Sequence, residues 1–282
     1  MARLSLDQIV SGVNDLPALP HVTLQVMRLA DDPSSLAQDI NAAIIQDQSL
    51  TAKVLRLANS AFYGFPRRIS TVTEATVLLG FNTIKSIVMA ASVSDMMSRE
   101  VVGYALAPGE LWRHSQATAM AARYIARKVR YRNPDVAYTG ALLHDIGKVI
   151  LNHHVEVAYT DVVQAIKDQG LDFIKAEQEI LGFTHAQIGA RVGEKWNLPR
   201  ELVEAIAHHH TPESAAENQK LTAIVHMADA MCMMMGIGLG LDGMMYPFSD
   251  VALQNLNMST GDAEEMVASL IDVFSDDNSF LG

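Results

Sequence analysis

The apolar positions of this chain recur at three- and four-residue spacing almost from end to end, the pattern of helices that each bury one stripe. Val22, Val26 and Leu29 form the first clear stripe, and Asp31-Asp32-Pro33 stops it. Leu36, Ile40, Ala43 and Ile44 form the next, with Ser34 or Ser35 placed to cap its start. Leu50, Val54, Leu57 and Ala58 follow the break at Asp47-Gln48-Ser49. Thr73 to Gly80 and Thr83 to Val93 read as two further helices hinged at Gly80, with Ile84, Ile87, Val88 and Ala91 as the buried set. Strand-like alternation of useful length is absent, so the spacing predicts an all-α protein, a multi-helix bundle.

Beyond Val101-Val102-Gly103 the pattern stays helical while its content changes. Pro108-Gly109 introduces a helix with Ala117, Ala121, Tyr124 and Ile125 on an alanine-rich face suited to close packing. Asn133-Pro134-Asp135 starts a helix that runs on through His144 and Asp145, with Lys148 one turn later and Gly147 loosening its end. The segment from Tyr159 to Ile174 is amphipathic and broken at Gly170, and Thr184 is placed to cap a helix from His185 to Trp196. Leu202, Val203 and Ile206 stripe a helix that ends in His208-His209-His210. Leu221 to Met235 is strongly apolar yet carries Asp229, a carboxylate that needs a partner there. Thr260 caps a last helix from Ala263 to Phe274. The expected organisation is an N-terminal helical half over residues 1–100, a second half over 101–235, and a C-terminal flexible segment and helix over 236–282.

Composition narrows the function classes. A chain of 282 residues with 49% hydrophobic residues can bury a core shared by two closely packed halves. The formal net charge of -11 predicts repulsion from nucleic acid and from anionic membranes, so neither is an expected partner. A single cysteine, Cys232, excludes an intramolecular disulfide, a Cys-rich zinc site and a thiol redox pair. Met1 to Asp7 lacks the apolar core of a signal peptide, and no apolar run approaches the roughly 18 residues of a membrane span. The expectation is a soluble, cytoplasmic protein.

Chemistry concentrates in the second half, which holds nine of the ten histidines. Eight residues on five helical segments are candidates to converge: Glu110, His114, His144, Asp145, His185, His209, His210 and Asp229. Nitrogen and oxygen donors without thiolates suit iron or manganese, with zinc, magnesium or nickel as alternatives, and helical bundles build such sites from facing helices. Two neighbouring ions can generate a hydroxide and clamp a phosphate ester, and Lys148 could then neutralise a phosphoryl oxygen of a phosphate-bearing ligand. His153-His154 read instead as a solvated or capping pair beyond the turn that Lys148 begins. The aromatic turn from Asn59 to Pro66, followed by Arg67-Arg68, either plugs helix ends or contacts a signalling partner.

The order His114, His144-Asp145, Asp229 resembles the HD superfamily of metal-dependent phosphohydrolases, and more narrowly the HDOD family of bacterial signalling proteins. Leu16-Pro17-Ala18-Leu19-Pro20, Leu57-Ala58-Asn59-Ser60-Ala61, Leu79-Gly80, Leu111-Trp112, His144 to Lys148, Leu181-Gly182, Trp196, Leu198-Pro199 and His209-His210 carry the likeness. The resemblance implies a regulatory module of a family in which many members have lost the HD ligands; this sequence keeps them, and with them an HD-type, binuclear metal site is expected. Compared with HD-GYP cyclic-di-GMP phosphodiesterases, all eight candidates fall where that family has metal ligands, and Lys148 where it has a substrate-contacting lysine. As an enzyme the chain would be a metal-dependent phosphohydrolase of a nucleotide or cyclic dinucleotide, with Asp145 and Lys148 catalytic. It departs from that family after His210, where Thr211-Pro212-Glu213 replaces an acidic residue and a Gly-Tyr-Pro loop.

Overall fold

The computed structural model describes residues 18–169, 171–238, 240 and 247–276. These form fourteen α-helices and three short 3-10 turns, and extended pairing among them is limited to one isolated bridge, Val101 with Leu106. The protein is all-α, as the spacing predicts. The expected break at Gly170 and the glycine at 243 lie outside the described residues.

Two compact units divide the chain: one holds Ala18–Asp95 with the chain from Leu270, the other Met96–Ser269. The first is built from α1 (His21–Asp31), α2 (Ala37–Ile44), α3 (Gln48–Ala58), α4 (Val72–Leu79) and most of α5 (Phe81–Met97). Their stripes meet in one core that includes Val26, Ile40, Ile44, Val54, Ile84 and Val88, all fully buried. Gly80 separates α4 from α5 with a φ of 82°, a left-handed conformation that a side chain would strain. The N-cap of α2 is Leu36 rather than a serine. Asp39 accepts the Leu36 N–H at 2.8 Å, whereas Ser34 is engaged with Asp32 at 2.7 Å. The aromatic turn is pinned by Asn59, which donates to the Leu55 and Ile69 carbonyls and accepts the Ile69 N–H at 2.7 Å. Tyr63 and Phe65 pack against the core, so these rings close helix ends.

The second unit contains α6 (Glu110–Lys128), α7 (Pro134–Leu143), α8 (Ile146–Gln169), α9 (Phe173–Ile180), α10 (His185–Lys195), α11 (Arg200–His208), α12 (Gln219–Met234), α13 (Asp250–Leu256) and the start of α14 (Thr260–Asp276). Alanines 117, 119, 121, 122 and 126 of α6 are all completely buried, which lets α7 and α12 approach its backbone closely. The helix α10 lies against α8 and α11, and α11 against α7 and α12. His153 and His154 lie within α8 rather than beyond a turn, and their side chains are outside the described residues. Thr184 caps α10 as its position predicts: it accepts the Gln187 N–H while Gln187 accepts its own. The last helix begins at Thr260 itself, with Ser259 as its cap, bonded reciprocally to Asp262.

Candidate metal centre

His144 and Asp145 lie at a joint, not inside one helix: α7 ends at Leu143 and α8 begins at Ile146. The reason is Gly147, which tightens the structure where loosening was expected. A Cβ there would sit 1.9 Å from the His185 carbonyl oxygen and 2.8 Å from the Gly189 nitrogen. Only glycine lets the first turn of α8 lie directly on the first turn of α10. Gly189 continues the close approach, since its Cβ would stand 2.9 Å from Ile206 on α11. These contacts set Asp145 opposite His185 and bring the end of α11, with His209 and His210, beside both.

Seven of the eight expected residues assemble into two adjoining groups of donor atoms, each within 4.8 Å of the others in its group. One group is Asp145, His185, His209 and His210; the other is His114, His144 and Asp229. Facing nitrogens stand close: His185 Nε2 is 2.9 Å from His210 Nε2, and His114 Nε2 is 3.3 Å from His144 Nε2 and 3.1 Å from Asp229 Oδ1. Donors held about 2.1 Å from one ion, at angles between octahedral and tetrahedral, lie roughly 3.0 to 3.4 Å apart. Asp145 spans the groups. Its Oδ1 faces His185 Nε2 at 3.2 Å and His209 Nε2 at 3.9 Å, while Oδ2 faces His144 Nε2 at 3.4 Å and His114 Nε2 at 3.7 Å.

The far side of each ring decides which nitrogen is bare. His114 Nδ1 donates to the Ile237 carbonyl at 2.9 Å, His209 Nδ1 to that of Ile206 at 2.8 Å, and His144 Nδ1 to that of Ala141. Peptide carbonyls only accept, so Nδ1 keeps its proton in each ring and Nε2 is the atom turned into the centre, where a cation would take its lone pair. Gly238 permits the His114 anchor. Its φ is 69°, and a Cβ would meet His114 Cβ at 2.4 Å.

Buried and without hydrogen bonds, both Asp145 carboxylate oxygens and His209 Nε2 are aimed into this space. Leaving Asp145 Oδ1 or His209 Nε2 unmet costs on the order of 1–3 kcal/mol each, and a divalent cation would satisfy both together with Oδ2, which otherwise meets only the Lys148 charge. Lys148 Nζ lies 2.8 Å from Asp145 Oδ2 as a charge contact lacking hydrogen-bond alignment. Burial opposes ionisation of Asp145, but His144 and Lys148 outweigh it and hold the carboxyl well below its usual range. Burial is likewise overcome at Asp229, by hydrogen bonds from His114 and His144. At His185, burial is outweighed by the Glu177 charge and the Asp145 contact, which push the imidazole up to about 9. Burial and neighbouring imidazoles drive His209 and His210 down, so both offer neutral nitrogens. Deprotonated carboxylates and neutral imidazoles are the forms that bind metal: Asp145, Asp229, His209 and His210 already present them, a divalent ion would displace the extra proton that His114 and His185 hold beside carboxylates, and the residues present fit such an ion.

Glu110 stands outside both groups: its carboxylate turns back to accept the Ala107 N–H at 2.8 Å. Glu177 and Tyr104, absent from the expected set, adjoin the centre directly. Glu177 Oε2 accepts two N–H groups from His185, at the backbone nitrogen (3.0 Å) and at Nδ1 (2.9 Å), and Oε1 accepts the Tyr104 hydroxyl. Phe173, Ala176, Glu177 and Ile180 follow the i, i+3, i+4, i+7 rule, so a carboxylate on the apolar stripe of α9 was the available signal.

The HDOD domain family model matches residues 16–212, more than half of the chain. The chain belongs to the HDOD family. An HDOD domain protein of unknown function from Geobacter sulfurreducens has the same fold at a TM-score of 0.79, with 27% identity over 98% of this chain and 95% of that one. A Shewanella amazonensis SB2B protein called "Putative phosphohydrolase" aligns at a TM-score of 0.67, with 26% identity over 93% of this chain and 97% of that one. An uncharacterized protein of Treponema pallidum (strain Nichols) is 26% identical over 236 residues. These are 78% of the HDOD chain and 43% of the relative, so the chain spans less than half of that protein's length. Among the described residues no helix is long and apolar enough to cross a membrane.

Proposed function

We propose that this HDOD protein is a regulatory module of cytoplasmic signalling, organised around a two-metal centre in which Asp145 is the shared carboxylate. The observation that carries the reading is the orientation of His114, His144 and His209: each donates Nδ1–H to a peptide carbonyl and turns Nε2 toward Asp145 or Asp229. One group would hold its ion through His114, His144 and Asp229, the other through His185, His209 and His210. Iron or manganese suits this mixture of imidazole and carboxylate, since an imidazole-rich site disfavours magnesium. The regulatory role is supported by burial. His144, His185 and His209 are fully covered, and Lys148, the group that would meet an anionic ligand, is 3% exposed and paired with Asp145. In such a module metal occupancy ties α6, α8, α10, α11 and α12 together, and a signalling protein reads the resulting surface.

A second reading, a metal-dependent phosphohydrolase of a nucleotide or cyclic dinucleotide, is favoured by the nearly complete donor set and by the name of the Shewanella relative. In it the metal pair supplies a hydroxide, and Lys148 must release Asp145 to reach a phosphoryl oxygen. Incubation of manganese- or iron-loaded protein with phosphodiesters and phosphomonoesters distinguishes the two. The regulatory reading predicts bound metal without turnover. Turnover that disappears in Asp145→Ala, with wild-type folding, would replace it with the hydrolase.

A further inference from the structure

Four of the imidazoles at the centre are held from behind, three of them alike and the fourth differently. His114, His144 and His209 rest on peptide carbonyls, whereas His185 rests on a buried carboxylate, Glu177. We propose that Glu177, braced by Tyr104, is the positioning residue for His185 and sets the strength of the metal equivalent that His185 helps to hold, without touching the ion. The proposal rests on the metal-centre reading above.

Glu177 is wholly buried on the stripe that α9 turns inward with Phe173 and Ala176, where packing alone would call for an apolar side chain. Its carboxylate is completely employed. Oε2 takes the His185 backbone N–H and Nδ1–H, which fixes both where α10 begins and the plane of the ring. Oε1 takes the Tyr104 hydroxyl, so the carboxylate cannot swing away to become a ligand itself.

Tyr104 is delivered for this purpose by a short closed loop. The Val101–Leu106 bridge closes it, Ala105 turns it with a φ of 54°, and Asn152 of α8 accepts the Gly103 N–H at 2.8 Å. The Tyr104 ring stands edge-on to the His185 ring, centroids 6.1 Å apart, and against Phe173 at 5.5 Å. Imidazole, phenol and carboxylate thus lock one another. A negative carboxylate behind an imidazole makes the opposite nitrogen a stronger donor than a carbonyl does, and holds it on target. That nitrogen, His185 Nε2, faces Asp145 Oδ1 and His210 Nε2.

The test is cobalt(II) titration of the full-length metal-free chain, followed by calorimetry and by the visible d–d bands, for wild type, Glu177→Gln and Tyr104→Phe. Glu177→Gln should weaken one equivalent by about ten- to hundredfold and shift its bands, leaving the other equivalent at its wild-type affinity. Tyr104→Phe should weaken the same equivalent by less. A purely structural role would lower thermal stability and weaken both equivalents in step, and that outcome overturns the proposal, as does unaltered binding of both. If Glu177→Gln does not fold, Tyr104→Phe decides, with selective weakening supporting the proposal and wild-type binding overturning it. Failure of the wild type to bind cobalt sinks the metal-centre reading itself, whereas normal wild-type binding with an indifferent Glu177→Gln sinks only this assignment.

Discussion

Replacing Gly147 with alanine tests whether the close approach of α8 to α10 builds the centre. The new Cβ would lie 1.9 Å from the His185 carbonyl oxygen, far inside the 3.4 Å at which ordinary contact begins, and 2.8 Å from the Gly189 nitrogen. Both obstacles are backbone atoms, so no rotamer change relieves them and the helices must separate. Overpacking of a tight interior costs about 1–3 kcal/mol, and a backbone clash belongs at or above the upper end. Exchanging glycine for alanine within a helix returns about 1 kcal/mol. The net expectation is a loss of about 2 kcal/mol, which lowers the thermal midpoint of the metal-free protein by roughly 4–8 °C. The same separation withdraws Asp145 from His185, so metal content measured by plasma mass spectrometry should fall as well. Gly140→Ala is the control. Its Cβ would meet the Val225 and Leu202 side chains at 3.4 and 3.5 Å, which are ordinary contacts, and the variant should be neutral or more stable. A Gly147→Ala protein with unchanged midpoint and full metal content would mean that the close approach of α8 to α10 does not build the centre.

Two further outcomes follow from buried groups that are not themselves proposed ligands. His226 Nδ1 donates to the His209 carbonyl at 2.7 Å and Nε2 accepts the Ser249 N–H at 3.1 Å, so the ring works only when neutral, and burial lowers its pKa. A group depressed in the folded state contributes its stability above its unfolded pKa of about 6.5 and loses it as pH falls, at most about 1.4 kcal/mol per pH unit. Unfolding midpoints between pH 7.5 and 5 should therefore fall more steeply for wild type than for His226→Gln; parallel curves would count against the neutral bridge. Cys232 is fully buried and burial pushes its thiol up, so it should resist alkylation in the folded protein and react once denatured. Rapid alkylation of native protein, seen by mass spectrometry, would show that α12 opens.

Much of the helical order was legible because each stripe has a local cause. Val26, Ile40, Val54 and Ile84 announce their helices by spacing alone, Gly80 marks an end through the left-handed conformation its missing Cβ permits, and Thr184 marks one through its hydroxyl. The joint at His144-Asp145 was not legible, since it depends on a contact between Gly147 and the His185 backbone, 38 residues on. The donor set was readable as residue types, and seven of its members meet; the Glu110 carboxylate instead accepts the Ala107 N–H, a contact its spacing from His114 does not announce. Glu177 shows in the sequence only as a carboxylate on an apolar stripe, and its partner Tyr104 sits 73 residues earlier in a loop that no periodicity encodes.

The account turns on one carboxylate shared between two ions. Manganese(II) loading of wild type and Asp145→Ala, with metal counted per chain and coupling read by electron paramagnetic resonance, addresses it directly. The account predicts two ions per wild-type chain, magnetically coupled as ions roughly 3.5–4 Å apart are, and loss of the coupled signal in Asp145→Ala. A wild-type protein that binds no manganese, or a coupled pair that survives without Asp145, would contradict it.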